Sequence, residues 1–92
     1  MIKSFQCADT ARLFRGERVA RFANITIVAT RKLQQLDSAA TLDALKSPHG
    51  NRLEKLSGNR RGEYSVRIND HWRLCFVWKS EGAFDVEIVD YH

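Results

Sequence analysis

The last third of the chain alternates apolar and polar residues with a period of two, and this pattern limits the possible folds most strongly. Three such runs follow one another, separated by short turn sequences at residues 69–70 and 80–82. Their apolar positions are Tyr64, Val66 and Ile68, then Trp72, Leu74, Phe76 and Trp78, and finally Phe84, Val86 and Ile88. The pattern predicts three antiparallel strands, joined as a meander, with one apolar face that other elements must cover.

The residues before the meander predict the elements that cover this face. Residues 24–38 carry apolar side chains at helical spacing, and Asn24 is a suitable N-cap for such a helix. The apolar stripe consists of Ile25, Val28, Ala29, Leu33 and Leu36. A shorter helix is predicted to begin at Asp9 or Thr10, and residues 2–5 predict a short strand.

A chain of 92 residues is long enough for one domain and its core, so we expect a single α+β domain over residues 1–92. Its N-terminal strand and two helices would pack on a small antiparallel sheet that ends in the C-terminal three-stranded meander. The longest unbroken apolar run, residues 74–78, is too short to span a bilayer. The N-terminus has no apolar segment typical of a signal peptide, so we expect a cytoplasmic protein without a membrane partner.

Strand parity predicts which side chains leave the core. If Trp72 and Leu74 face the helices, Arg73 points to the opposite face, because successive side chains alternate across a strand. The same count places Arg67 and Tyr91 on that face. Together with the terminal His92, these residues are expected to converge on one open surface of the sheet.

Basic residues are concentrated in the middle of the chain. The net charge is +4 and the pI is about 9.4. Residues 46–73 contain seven basic and three acidic side chains, which is the kind of segment that a polyanion requires. Our candidates for contacts with RNA or the ribosome are Arg52, Lys55, Arg60, Arg61 and Arg67. Charge by itself is better explained by a solvated, charge-rich surface. Arginines at three-residue intervals from Arg12 to Arg21 also predict a positive face near the N-terminus.

Cysteines and histidines indicate no metal site. Cys7 and Cys75 lie outside any metal-type spacing, which favours two separate buried thiols, although the sequence leaves a contact between them open. Neither His49 nor His71 has a second histidine or cysteine at ligand spacing. We therefore expect no bound metal.

Four short segments, in this order and spacing, resemble the HigB branch of the RelE/ParE superfamily of toxins. They are residues 1–5, Gly58-Asn59-Arg60, Trp72-Arg73 with the apolar strand that follows, and Val89-Asp90-Tyr91-His92. The resemblance implies a RelE-like fold and a ribosome-dependent endoribonuclease that cleaves mRNA through attack of the ribose 2′-hydroxyl. It also implies chemistry without a metal or cofactor, and a partner antitoxin of the HigA-like helix-turn-helix type.

The resemblance assigns roles to individual residues. Arg73 matches the phosphate-binding arginine of the family, Tyr91 and His92 match its terminal pair, and Asp90 matches the acidic residue before them. HigB proteins often carry a histidine and a lysine in the loop where this chain has Glu54 and Ser57. Glu54 is therefore our candidate general base, with Lys55 as a phosphate contact, and the change predicts a weak catalyst.

Two other functions fit the same fold. One is a ParE-like inhibitor of DNA gyrase, and the other is a non-catalytic toxin that binds RNA or the ribosome. The terminal Asp90-Tyr91-His92 favours the nuclease over the gyrase inhibitor. Taken singly, Arg73 could be an ordinary strand arginine, Tyr91 a cover for the sheet edge, and Glu54 a surface charge.

Overall fold

The computed structural model describes residues 1–47 and 49–90. Within these ranges, two helices precede a four-stranded antiparallel sheet whose strands are neighbours in chain order. The elements are α1 (Ala8–Phe14), α2 (Thr26–Ser38), β1 (Glu54–Lys55), β2 (Glu63–Arg67), β3 (Trp72–Lys79) and β4 (Gly82–Asp90). Short 3-10 turns lie at Ala20–Phe22, Leu42–Lys46, His49–Asn51 and Gly58–Arg60. The α+β class and the meander are confirmed, and β1 is an additional strand.

Both predicted helix caps are wrong. α2 begins after Ile25, which is buried. The backbone N–H of Ile25 donates to the Phe22 carbonyl at 3.0 Å. Burial of Ile25 therefore fixes the start of α2, and Asn24 lies exposed before it. α1 follows Cys7 without a side-chain cap. Thr10 lies buried inside α1, where its hydroxyl accepts a hydrogen bond of 3.1 Å from the Ile88 backbone N–H.

One face of the sheet packs on α2 to form the core. From α2, Ala29, Leu33 and Leu36 are fully buried, which confirms the predicted stripe. From the sheet, the buried residues include Val66, Leu74, Phe76, Val86 and Ile88. Truncation of a core leucine such as Leu33 to alanine costs about 2–5 kcal/mol in proteins generally, so this contact holds the sheet on the helices.

The predicted N-terminal strand exists as two isolated parallel bridges to β4. Ile2 pairs with Ala83 and Phe5 pairs with Val86. Gly82 makes this approach possible, because a Cβ built there would lie 2.1 Å from the Met1 carbonyl oxygen. Its φ of +144° also disfavours any other residue.

The alternation predicted for the last strand fails at Phe84. Asp85 adopts φ +53°, and the register between β3 and β4 shifts between Cys75 and Val77. Because of the irregularity, Phe84 lies opposite Val77, on the face that points away from α2. Ile88, further along β4, lies opposite Leu74 on the core face. A bulge of this kind leaves no signal in an apolar pattern.

The predicted positive face near the N-terminus is only partly neutralised, because its four arginines share two carboxylates. Arg12 lies 3.3 Å from both Asp9 and Glu17, and Arg15 lies 2.8 Å from Glu17. Arg21 lies 3.4 Å from Asp9. Three of the regularly spaced arginines therefore take part in an exposed ion-pair network with Asp9 and Glu17.

Candidate active site

Register brings Arg67 and Arg73 onto the same face of the sheet. Arg67 lies opposite Arg73, and Arg73 lies opposite Val89. This face points away from α2, because side chains alternate along each strand and Leu74 belongs to the core. The predicted parity of both arginines is confirmed. We call this surface the open face; it is formed by Glu54, Glu63, Ser65, Arg67, Arg73, Cys75, Glu87 and Val89.

Arg73 is held along one edge of its guanidinium by neutral acceptors. Its Nε–H donates to the Ser65 hydroxyl at 2.7 Å, and its Nη2 donates to the Arg52 carbonyl at 2.7 Å. A longer bond of 3.4 Å joins Nη2 to the Ser65 carbonyl. The side chain is 12% exposed. Within the described ranges, Nη1 is the amino group to which no residue supplies an acceptor.

The carbonyl of Arg52 reaches Arg73 because the loop before β1 adopts an unusual backbone conformation. Arg52 has φ +44°, in the left-handed region that residues other than glycine rarely adopt. Such a conformation persists where its surroundings fix it. Here the fixing residue is the one before it, Asn51, which is fully buried.

Asn51 ties this loop to α2 through its side chain. Its amide nitrogen donates to Gln35 Oε1 at 3.0 Å and to the Leu45 carbonyl at 3.1 Å. Its amide oxygen accepts a hydrogen bond from the Lys32 ammonium. Burial lowers the pKa of Lys32, and the nearby Arg31 and Arg67 charges lower it further. The loop is thus anchored by a polar network inside the protein.

Glu54 joins Arg73 on the open face. It lies opposite Ser65 across the β1–β2 pair, and its Oε1 is 3.9 Å from Arg73 Nη2. The carboxylate is 59% exposed, so it can meet a ligand. Lys55 follows on the opposite side of β1, since it lies opposite Tyr64, which packs against the core. Glu54 therefore lies beside Arg73, as predicted, whereas Lys55 lies on the other side of the strand, away from Arg73.

Arg60 occupies a second region of the open face, where carboxylates surround it. Nη1 lies 3.1 Å from Glu63 and Nη2 lies 3.0 Å from Glu87. Burial alone would lower the pKa of Arg60, but the hydrogen bond to Glu87 and the nearby negative charges together raise it. An open cleft of about 440 Å³ lies here, lined by Gln6, Asn59, Arg60, Glu63, Asp85 and Glu87.

The other predicted RNA contacts differ in their partners. Arg67 pairs with Asp70, whose side chain is 84% exposed. Arg52 and Arg61 are exposed, and no ion pair of either is found in the described part of the chain. Arg52 and Arg61 could therefore bind an anion without first breaking an ion pair within the described residues.

Residues 1–47 and 49–90 contain neither a metal-ligand cluster nor a helix suited to a membrane. No cluster of three or more histidine, cysteine or acidic side chains there could hold a metal ion. Cys7 and Cys75 are not joined in a disulfide, as predicted, and Cys75 is buried, but Cys7 is only partly buried. In the same ranges, no helix is long and apolar enough to cross a membrane.

Comparison with known proteins identifies the family. A family model for the RelE-like toxin of the type II toxin–antitoxin system HigB matches residues 3–92. The chain belongs to this HigB-like toxin family. Toxin HigB-1 of Vibrio cholerae is 48% identical over 48 residues, which are 52% of this chain and 50% of that protein. The chain thus spans about half the length of that relative. Endoribonuclease HigB of Proteus vulgaris is 29% identical over 93 residues, with 100% of both chains covered.

Among solved structures, the fold is similar to a chain of the YoeB–YefM complex from Staphylococcus aureus. The TM-score is 0.62, and the match covers 100% of this chain and 98% of that chain. At 18% identity, this likeness shows the shared fold alone. It confirms the RelE-like architecture expected from the sequence.

The C-terminal residues of the family pattern are described in part. Asp90 is exposed and lies opposite Trp72, on the helix side of β4 and away from Arg73. Tyr91 and His92 lie outside the described residues. β4 carries the chain past Arg73, since Val89 is the register partner of that arginine.

Sequence reasoning missed Ser65 and Asn51. Both are polar residues with no exposed surface, and each contacts side chains far along the chain. In the sequence, Ser65 is a polar position between Tyr64 and Val66, and Asn51 follows Gly50 in a segment typical of turns. The sequence shows the outward parity of Ser65 and the turn position of Asn51. It does not show their hydrogen-bond partners, Arg73 and Lys32.

Proposed function

We propose that this chain is the toxin of a type II toxin–antitoxin pair and acts as a ribosome-dependent endoribonuclease on mRNA. The observation that carries this proposal is the arrangement around Arg73. A guanidinium held by neutral acceptors lies on an open face, and the Glu54 carboxylate is 3.9 Å away. Membership in the HigB-like family supports the same activity.

Cleavage would proceed by attack within the RNA strand. A base takes the proton of the ribose 2′-hydroxyl, and the oxygen attacks the adjacent phosphorus. The bond from phosphorus to the 5′-oxygen breaks, and that oxygen takes a proton from an acid. The products are a 2′,3′-cyclic phosphate and a 5′-hydroxyl end, without a metal or cofactor.

The candidate residues divide these tasks. Arg73 would stabilise the charge that builds on the phosphorane oxygens, since its short hydrogen bonds go to neutral acceptors and the Glu54 carboxylate lies further off, at 3.9 Å. Glu54 would serve as the base. Tyr91 and His92 would position the phosphate and supply the acid, because histidine titrates near neutral pH. Asp90 would orient this terminal pair.

Basic residues near the open face, and Lys55 on the other side of β1, would bind the RNA backbone. We assign these contacts to Arg52, Lys55 and Arg61, which are exposed, and to Arg67. The partner of Arg67, Asp70, is solvent-exposed, so a phosphate could replace it at little cost. Arg60 would bind RNA only by giving up two carboxylates, and we rank it last among these contacts.

The partners follow from this function. The ribosome and its mRNA would be the substrate complex, which places the activity in the cytoplasm. A HigA-like helix-turn-helix antitoxin would neutralise the toxin; the family's toxin–antitoxin system supports such a partner. Co-expression of that antitoxin should restore growth to cells that the toxin arrests.

The test is cell-free translation of a reporter mRNA, with its 5′ ends mapped. We expect new 5′ ends with the full chain and loss of these ends with a truncation that lacks Tyr91 and His92. The matched control is the same mRNA without ribosomes, which should stay intact. Blocked synthesis with intact mRNA would instead indicate a non-catalytic ribosome-binding toxin. Undisturbed translation would contradict the proposal and leave gyrase inhibition to be assayed.

A further inference from the structure

Ser65 is a buried polar residue outside the hydrophobic core cluster. It lies in the middle of β2 with no exposed surface, on the open face and away from α2. Its register neighbours on that face are Glu54 and Cys75. Its hydroxyl accepts the Nε–H of Arg73 at 2.7 Å, and its carbonyl accepts from Nη2 at 3.4 Å. A single residue thus provides two of the acceptors that meet Arg73.

We propose that Ser65 is a positioning residue that fixes the orientation of the Arg73 guanidinium. This inference rests on the function proposed above, in which Arg73 binds the scissile phosphate. It names a residue to which neither the sequence pattern nor the family resemblance gave a role.

The geometry of arginine explains how this works. A guanidinium is planar and carries five N–H donors in a fixed fork. Acceptors on Nε and Nη2 together define both the direction of this plane and its rotation about the side chain. Ser65 takes the Nε–H, and the Arg52 carbonyl takes Nη2. The orientation of the Nη1 amino group, which would donate to a phosphate oxygen, is thereby fixed as well.

The chemical type of the acceptor matters as much as its position. A hydroxyl and a carbonyl satisfy the donors without neutralising the positive charge. Carboxylates at the same distance would hold the guanidinium equally well, but they would compete with a phosphate for its charge. Ser65 therefore fixes the geometry of Arg73 without itself adding a negative charge beside the guanidinium.

Ser65→Ala removes the hydroxyl acceptor with little change in volume. We expect kcat of ribosome-dependent cleavage to fall at least about tenfold, the effect of one hydrogen bond to a charged group. KM should change much less, because orientation matters most when charge builds in the transition state. Ser65→Thr, which keeps the hydroxyl and suits a strand, should recover most of kcat. Ser80→Ala is the matched control at an exposed serine and should behave as the wild type.

A double-mutant cycle separates positioning from simple packing. In an Arg73→Ala background, Ser65→Ala should cause no further loss, since the group it orients is absent. Losses that multiply, or full activity of Ser65→Ala alone, would overturn the inference. If Arg73→Ala itself cleaves like the wild type, the proposed function fails at this site.

An activity-independent readout keeps the two proposals distinguishable. In the nitrogen–proton NMR spectrum of arginine side chains, Arg73 Nε–H should exchange slowly with water in the wild type and rapidly in Ser65→Ala. Equal exchange rates in the two proteins would contradict the inference, whatever the activity. The wild type could show slow exchange of the Arg73 Nε–H that becomes rapid in Ser65→Ala, and yet cut no mRNA. This result would support the contact between Ser65 and Arg73 and would contradict the proposed function. Thermal melting must show that each variant is folded.

Discussion

Two arginines on the open face are held in opposite ways. Arg73 is fixed by the Ser65 hydroxyl and the Arg52 carbonyl, which are both neutral. Arg60 is fixed by Glu63 and Glu87, at 3.1 and 3.0 Å. Both side chains are ordered by hydrogen bonds, but those of Arg60 go to two carboxylates, whereas the Glu54 carboxylate lies 3.9 Å from Arg73 and is largely exposed.

This difference shows why a basic sequence segment is a poor guide to a binding site. Residues 46–73 contain both arginines, and composition gives them the same weight. The partners decide whether each charge is available to an anion. The arrangement at Arg73 fits a site that must receive a phosphate, and the arrangement at Arg60 fits a link between β2 and β4.

The strongest test of this contrast replaces Arg73. Arg73→Gln should lower ribosome-dependent cleavage by about 10²–10³-fold, as expected for the loss of a group that stabilises transition-state charge. Arg73→Lys should recover only a part, because lysine keeps the charge but lacks the fork that Ser65 and Arg52 hold. Mapped 5′ ends per unit time measure the effect. Near-complete recovery by lysine would show that charge alone is sufficient at this position.

Next in size is the effect of loosening the loop that supports Arg73. Asn51→Ala leaves the Lys32 ammonium and the Leu45 carbonyl without a buried partner, so we expect a loss of about 2–3 kcal/mol in the free energy of unfolding. Urea denaturation measures this loss. Asn59→Ala, at an exposed asparagine in another 3-10 turn, is the control and should change stability by less than about 0.5 kcal/mol. Equal effects of the two variants would remove Asn51 as the anchor.

Replacement of Arg60 should reverse the pattern seen at Arg73. Arg60→Gln breaks two partly exposed ion pairs, so the free energy of unfolding should fall by about 1 kcal/mol. Cleavage should change less than about threefold if Arg60 is a structural link. Denaturation and 5′-end mapping on the same preparation test both parts. A loss of cleavage as large as that of Arg73→Gln would show that Arg60 acts at the site and is not only a structural link.

The smallest expected effect lies in the exposed network near the N-terminus. Hydrogen bonds from Arg15 and Arg12 lower the pKa of Glu17 below its usual value of about 4.3. The stabilisation is therefore complete above that pH and is lost as the pH falls through the lower folded-state pKa. Glu17→Gln should be slightly less stable than the wild type at pH 7, and the difference should disappear in strong acid. Melting curves between pH 2 and 7 would show a constant difference if the network had no such role.

Local patterns in the sequence predicted most of the fold. The alternation of Val66 with Arg67, and of Leu74 with Arg73, gave both the meander and the face that carries the arginines. β1 was missed because two residues are too few to show a period. Phe84 was placed on the wrong face, since the positive φ of Asp85 depends on contacts that the sequence does not display.

The site was predictable only where it follows strand parity or the family pattern. Arg73 and Glu54 were named in advance, and the structure brings them together. Ser65 and Asn51 were not, because their roles depend on Arg73 and Lys32, which lie 8 and 19 residues away in the chain. Asp90 was grouped with Arg73 by the family resemblance, whereas the register places it on the opposite side of β4.

The bridges between the first residues and β4 also set the order in which the chain can fold. Lys3 bonds to Ala83, and the Ser4 hydroxyl accepts from Asp85, 81 residues further along. During synthesis, the N-terminal segment emerges first but must wait for nearly the whole chain before its partners exist. Contacts between such distant residues slow folding, because a long loop must close before they form. A nascent chain that stops before β4 therefore cannot complete the sheet that carries Arg73.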